Sequence, residues 1–280
     1  MRAAILIQGE PRFCAEFDLF IANLQGYTQI DWFFYLWKNS PVESDIVGSS
    51  GHQLVAPNWQ HIDIEWAINK FKENLPSNHH VAVLKLDDEY QVTHSPITEN
   101  YATETIQSNV WKMWYSQYQV NQLRLMYEEK YNFEYDVVIR GRPDVGLISI
   151  LDLNIVKPYL DQKKNLIITP MNHFAGHGDF IICDLFGLGN SDNMNIYTDI
   201  YNQALTHHSN GVKFHPETML ARHLLLNGID YRAGSFKVSF RRLGLWKDIH
   251  TGKTYTSSMV PPTDPAWKDL VYISNFGRWQ

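Results

Sequence analysis

Residues 31–37 read DWFFYLW. After the leading carboxylate every side chain is apolar or aromatic, so a strand made from this stretch has to be buried on both faces. Comparable runs recur at residues 3–7, 81–86, 135–139 and Leu166–Thr169, and a further strand is expected at 179–183. Between the strands lie segments of helical period. Residues 13–24 place Phe13, Phe17, Phe20, Ile21 and Leu24 on one side, and Glu104–Tyr131 forms the longest helical stretch. A third helix is expected over 190–207, and a fourth over Pro216–Leu226, with proline at its first position and Asn227-Gly228 as its stop. Residues 40–57, rich in Gly, Ser and Pro, read as a loop, and the pattern weakens after Ile229. Alternation of strands and helices from the first residue predicts an α/β fold of Rossmann-like type, with a mostly parallel central sheet flanked by helices.

At 280 residues the chain is long enough to fold as one large domain. Its net charge of −6 leaves no basic face for nucleic acid, so an anionic ligand must be held by a local cluster of cations. Cys14 and Cys183 are the only cysteines, too few for a disulfide framework or a thiolate zinc site, which points to a reducing compartment. No apolar run approaches the ~18 residues of a membrane span, so a cytoplasmic protein with no membrane span is expected. Aromatic residues reach 14%, more than a core of this size needs. Some of them can serve as flat platforms for a ring.

In parallel sheets, ligands sit beyond the carboxyl ends of the strands, so the loops there carry the candidate chemistry. Gln8-Gly9-Glu10-Pro11-Arg12 follows the first strand: its glycine lets the backbone approach a ligand, and Arg12 is placed to reach a phosphate. Residues 135–147, YDVVIRGRPDVGL, end a buried strand in two arginines and an aspartate. Arg140 and Arg142 alternate along an extended segment and so project to opposite faces, with Pro143 keeping the chain extended and Asp144 following. One arginine can pair with Asp136 or another core carboxylate, while the pair together makes an anion site. His173, His177 and Asp179 have spacing that admits zinc, although their glycine-rich setting suggests a loop. Alternatively Asp179 is a base entering a strand. His215-Pro216-Glu217 opens a helix, where a carboxylate either stabilises the first turn or acts as a base in a cleft. Trp111, Trp114, Tyr115, Tyr118 and Leu125 form a helical stripe that is either core or a binding wall, and Trp37 is a further candidate platform.

The segments ILIQGEPRF, DWFFYLW, YSQYQVNQLRLMYEEKYNFEYDVVIRGRPDV, GDFIICDLFGLGNSDNMNIY and HPETMLARHLLLNGI occur in that order. In that order they resemble a group of bacterial and large-virus glycosyltransferases with a GT-A-like fold. The likeness covers about residues 2–229, and its most specific part is Tyr-Asp-x-Val-Ile-Arg-x-Arg-Pro-Asp. It implies a single domain over 1–280, with a nucleotide-binding half at about 1–145, an acceptor-binding half at about 146–260 and an irregular tail at 261–280. It implies transfer of a sugar, xylose among the candidates, from a UDP-sugar donor to a glycan acceptor, in the cytoplasm of a bacterium or of a virus's host. Gln8, Gly9, Arg12, Arg140, Arg142, Asp144 and His215 would then bind the donor, and His177, Trp111 and Tyr115 the acceptor.

The chain departs from that family in one respect. It contains no Asp-x-Asp, and the corresponding place reads Arg142-Pro143-Asp144. A guanidinium can neutralise a leaving diphosphate as a metal would, so the expected enzyme needs no cofactor. The alternative is Mn²⁺ or Mg²⁺ held by Asp144 and the diphosphate. An inverting transfer needs a carboxylate base, either Asp179 or Glu217. Two competing readings are a non-catalytic nucleotide-sugar or glycan-binding module and a zinc hydrolase built on His173, His177 and Asp179.

Overall fold

The structure is a computed structural model, and it describes residues 1–10, 17–38, 52–56, 64–73, 75–88, 90–93, 104–172, 175–177, 180–240, 245–248 and 254–256. Seven strands form the central sheet: β1 (Arg2–Gly9), β2 (Gln29–Trp37), β3 (His79–Asp87), β4 (Val137–Gly141), β5 (Leu166–Thr169), β6 (Gly187–Gly189) and β7 (Asp230–Ala233). Their spatial order is β7-β5-β6-β4-β1-β2-β3. Only β6 runs against its neighbours; β4, β1, β2 and β3 are mutually parallel, as are β5 and β7. One sheet therefore passes through both halves expected from the sequence.

Both faces of the central strands are buried, as the unbroken apolar runs require, while the edge strands β3 and β7 are only partly covered among the described residues. In β2, Ile30, Trp32, Phe34 and Leu36 enter one core, while Phe33, Tyr35 and Trp37 enter the other. The first core is closed by α1 (Phe17–Asn23), α2 (Ile64–Glu73) and α4 (Leu153–Gln162), through Phe20, Ile68, Phe71, Leu153 and Leu160. The second is closed by α3 (Glu104–Tyr131), α5 (Ser191–Thr198), α6 (Ile200–Ser209) and α7 (Pro216–Leu226). No helix among the described residues is long and apolar enough to cross a membrane.

Helix α3 has the bounds its pattern predicts, ending where Asn132 takes φ 52°, a left-handed stop that asparagine tolerates. Its stripe changes character along its length. Val110, Trp111, Trp114 and Val120 pack on the sheet, but farther along it is Asn121, Arg124 and Glu128 that are buried, and Leu125 is only half-buried. Arg124 donates to Glu128 at 2.6 Å and to Ser191 and Asn195 of α5, so a polar lock joins the two helices.

Three expectations need correction. The helix expected over 190–207 is two helices, because Thr198 turns its hydroxyl back onto Met194 O at 2.9 Å and Asp199 leaves helical geometry at ψ −1°. The strand expected at 179–183 shrinks to Phe180–Ile182 and pairs in a hairpin with Ala175–His177, outside the central sheet. The adjoining place in the sheet goes to β6, whose GLG sequence carries no strand signal. A Cβ at Gly189 would meet Ile167 Cδ1 at 2.7 Å, so the Ile167 side chain packs tightly over this glycine. Within the supposed loop at 40–57, His52–Ala56 is a strand pairing with Leu245–Asp248. The expected tail at 261–280 lies outside the described residues.

Candidate functional site

The chain builds β1, β2 and β3 outward in one direction, then crosses through α3 to lay β4 on the opposite side of β1. Strand connections reverse direction at this point, and the carboxyl ends of strands flanking such a reversal are where open α/β sheets hold their ligands. Register places Leu6 beside Arg140 and Ile7 beside Gly141, so Gln8 and Gly9 end β1 where Arg142 leaves β4. Two of the sequence's candidate loops thus meet at the switch point.

Gly9 has φ +100°, a left-handed conformation that side chains resist, and the nearest atom to a Cβ there is Ser116 Oγ of α3 at 3.9 Å. Gln8 is buried. With its amide oriented to satisfy both neighbours, it donates to Gly141 O at 2.8 Å and accepts from Arg140 Nη2 and Nε at 2.5 and 3.1 Å. Arg140 also donates to the Asp184 carbonyl. Fully buried in this way, Arg140 joins the end of β1, the end of β4 and the segment before β6, and is a post within the fold rather than a surface for a donor. Asp136 takes no part, since its partly exposed carboxylate accepts from Arg2 N at 2.8 Å at the other end of the sheet.

Arg142 and Asp144 correct a second expectation. The segment is not extended: Val145 N donates to Arg142 O at 3.1 Å, closing a tight turn with Pro143 at its second position. The turn folds Asp144 back onto its neighbour, which donates from Nε and Nη2 at 2.9 and 2.8 Å to the two carboxylate oxygens. Because the strand has ended, the two arginines do not project to opposite faces; both act on Asp184. Burial draws the Arg142 guanidinium's pKa down, but Asp144 outweighs it and the net shift is upward.

The third contribution comes from the start of α7. His215 is its N-cap, accepting from Thr218 N through Nδ1 at 3.5 Å, and Pro216 occupies the first turn. Glu217 is not a solvated first-turn charge: its side chain is 15% exposed, and it lies close enough to Asp184 and Arg142 to feel both. His215 Nδ1 is 3.1 Å from Glu217 Oε2 but out of line for a hydrogen bond, so that buried oxygen is unsatisfied among the described residues. Burial, then the neighbouring Asp184, raises the Glu217 carboxyl well above the usual range. Burial likewise raises Asp184, against the pull of Arg140 and Arg142. Nearby, the Tyr197 hydroxyl of α5 is buried without a hydrogen bond among the described residues, and burial pushes the Cys183 thiol up to about 12, which keeps it unreactive.

The structure therefore gathers Gln8, Gly9, Arg140, Arg142, Asp144, His215 and Glu217 around the carboxyl ends of β1 and β4. It adds Asp184 and Tyr197, which the sequence reading missed; the only signal was a carboxylate set inside the apolar run IICDLF. Trp111 is 2% exposed and packs edge-to-face on Trp114 at 5.4 Å, so it is core and offers no face to an acceptor. Tyr115 is half-buried and stacked on Tyr90 at 4.1 Å, near the carboxyl end of β2; Trp37 is buried. Arg12, His173 and Asp179 lie outside the described residues, and of His177 only the backbone, in the hairpin, is described.

No protein-family model matches the chain, and no curated protein matches it significantly.

Proposed function

We propose that the protein is a glycosyltransferase of GT-A-like organisation, moving a sugar from a UDP-sugar to a glycan hydroxyl with inversion. The observation that carries this reading is the Arg142–Asp144 turn at the switch point, beside the left-handed Gly9 and the unsatisfied Glu217. Gly9 admits the donor's backbone-bound portion, and Arg142, held in a fixed orientation by Asp144, faces the diphosphate.

In the reaction, the acceptor oxygen forms a bond to the anomeric carbon while the carbon–oxygen bond to diphosphate breaks. The bonding pair leaves with the nucleoside diphosphate, whose charge Arg142 neutralises. The acceptor's proton passes to ionised Glu217, and a site that favours the protonated carboxyl supplies driving force for that transfer. Asp179 is the other candidate base.

Asp144 does not fit the metal-ligand role that the family pattern suggests. Both its oxygens accept from Arg142, so the carboxylate is already engaged by a guanidinium. No step is assigned to Mn²⁺ or Mg²⁺.

A thermal-shift screen of UDP-, GDP- and CDP-sugars, UDP-xylose included, with and without Mn²⁺, tests donor binding. UDP-sugars are expected to stabilise the protein, and Arg142→Ala to raise the UDP dissociation constant about tenfold or more by calorimetry, or about 1.4 kcal/mol. An unchanged constant makes Arg142 structural and removes the proposal's main support. Binding without transfer or hydrolysis would instead identify a non-catalytic nucleotide-sugar module.

A further inference from the structure

Helices α5, α6 and α7 meet at two buried histidines outside the site. His207 of α6 and His223 of α7 place Nε2 and Nδ1 2.9 Å apart, and His223 Nε2 lies 2.7 Å from the Ile196 carbonyl of α5. These partners determine the protons. A carbonyl only accepts, so His223 carries its hydrogen on Nε2 and leaves Nδ1 bare; His207 must then donate from Nε2. The Asn227 amide nitrogen, 3.5 Å from the same Nδ1, is a second donor directed at it. The chain of donation from α6 to α7 to α5 thus exists only while His223 is neutral, since His207 donates from Nε2 in either of its charge states.

A proton arriving on His223 Nδ1 meets the His207 N–H head-on. The clash is relieved only if His207 moves its own proton to its other nitrogen, which leaves a cation in a site that is 1% exposed. The surrounding charges do not rescue it. Arg222 of α7 acts against a charge on His207, and the acid nearest His223 is Asp199, which caps the end of α5 and is already engaged by Asn202 and Gln203. On α6, His208 turns its Nδ1 to Val212 O, and on β7, Asp230 and Arg232 pair with each other.

We infer that the His207–His223 pair is an acid-released latch that holds α7, and with it the His215–Glu217 end of the candidate site, against α5 and α6. In the latched state burial lowers His223 to about 4. The sign follows: above the ordinary histidine value of about 6.5 both states are neutral and the latch is closed, and as pH falls toward 4 the released state gains protons first. For His223 alone this favours release by roughly 20-fold between pH 7 and pH 5.

Amide hydrogen exchange of the ligand-free protein, corrected for intrinsic rates, tests the latch without any assumption about substrate. Protection across α7 is expected to drop by about that factor from pH 7 to pH 5, while protection in α3 holds. In the His207→Gln/His223→Gln double variant, which keeps amide donors but cannot titrate at these positions, that drop in α7 protection should be absent. Equal pH dependence in parent and double variant, or none in the parent, overturns the inference. Should the double variant fail to fold, the histidine ring signals of the parent decide by NMR. His223 staying neutral through pH 5 supports the latch, and titration near 6.5 sinks it.

Discussion

The two ends of the central strands carry polar clusters of opposite kinds. At the amino end, Asp31 is fully buried and fully satisfied. Its Oδ2 accepts from Arg2 Nε at 2.7 Å and Tyr135 OH at 2.7 Å, and its Oδ1 from Gln29 Nε2 at 3.0 Å, with His80 Nδ1 at 3.3 Å. Arg2 is further held 3.8 Å over the Phe133 ring. At the carboxyl end, Asp144, Asp184 and Glu217 crowd around two arginines, and Glu217 Oε2 and Tyr197 OH are buried with no hydrogen bond among the described residues. β1 and the two ends of β4 contribute to both clusters, but the amino-end one is centred on Asp31 of β2, and the carboxyl-end one is completed by Asp184 and by Tyr197 of α5 and Glu217 of α7. Buried carboxylates are thus fully paired at the amino end, whereas the carboxyl end keeps an unsatisfied remainder that folded proteins rarely leave without a reason.

Breaking the satisfied end should have the largest effect. Asp31→Ala strands the Arg2 guanidinium and the Tyr135 hydroxyl, and a loss of ~3–5 kcal/mol is expected in denaturant unfolding, with UDP affinity of the folded fraction unchanged. A loss under ~1 kcal/mol would show that the amino-end cluster is no more structural than its counterpart.

Gly9→Ala sharpens the contrast from the other side. The site has room for a methyl group, with Ser116 Oγ 3.9 Å away, so the cost is torsional, ~1–2 kcal/mol for forcing φ +100° on an L side chain. Weakened UDP binding should accompany it, and a fully stable, fully binding variant would remove Gly9 from the site.

Glu217→Gln should change stability least, by no more than ~1 kcal/mol at neutral pH, while abolishing transfer and leaving donor binding measurable. The pH dependence distinguishes it. The folded protein holds this carboxyl protonated above its ordinary 4.5, so the stabilisation is complete below 4.5 and is lost as pH rises from there through the folded value. Subtracting the variant's melting curve from the parent's over pH 4 to 8 should leave a term that declines with pH. A flat difference would mean that Glu217 is an ordinary exposed acid.

Much of this was readable in advance. The ends of α3 and α7 are set by local chemistry: a left-handed Asn132, a proline in the first turn of α7, and Gly228 at φ 72° after its last. The parallel core followed from apolar runs without alternation, and the loops flanking Gly9, Arg142 and Glu217 could be singled out because ligands gather at strand ends. The turn at Arg142-Pro143-Asp144-Val145 could not be read in the same way, since proline suits both an extended chain and the second position of a turn. Nor could the fate of Arg140. An arginine at a strand's end reads the same whether it faces solvent or, as here, Gln8 and a carbonyl.

By itself, then, the sequence determined the layers, the direction of most strands and the segments in which charge would concentrate, because period and capping are local properties of the chain. Only the tertiary structure decided that Arg140 is walled in by Gln8 and the Asp184 carbonyl while Arg142 pairs with Asp144, that Asp184 and Tyr197 join them, and that two distant histidines share one proton's geometry. Each of these depends on which buried group meets which partner across more than a dozen residues of chain, and that pairing is settled by packing and desolvation rather than by any neighbour in sequence.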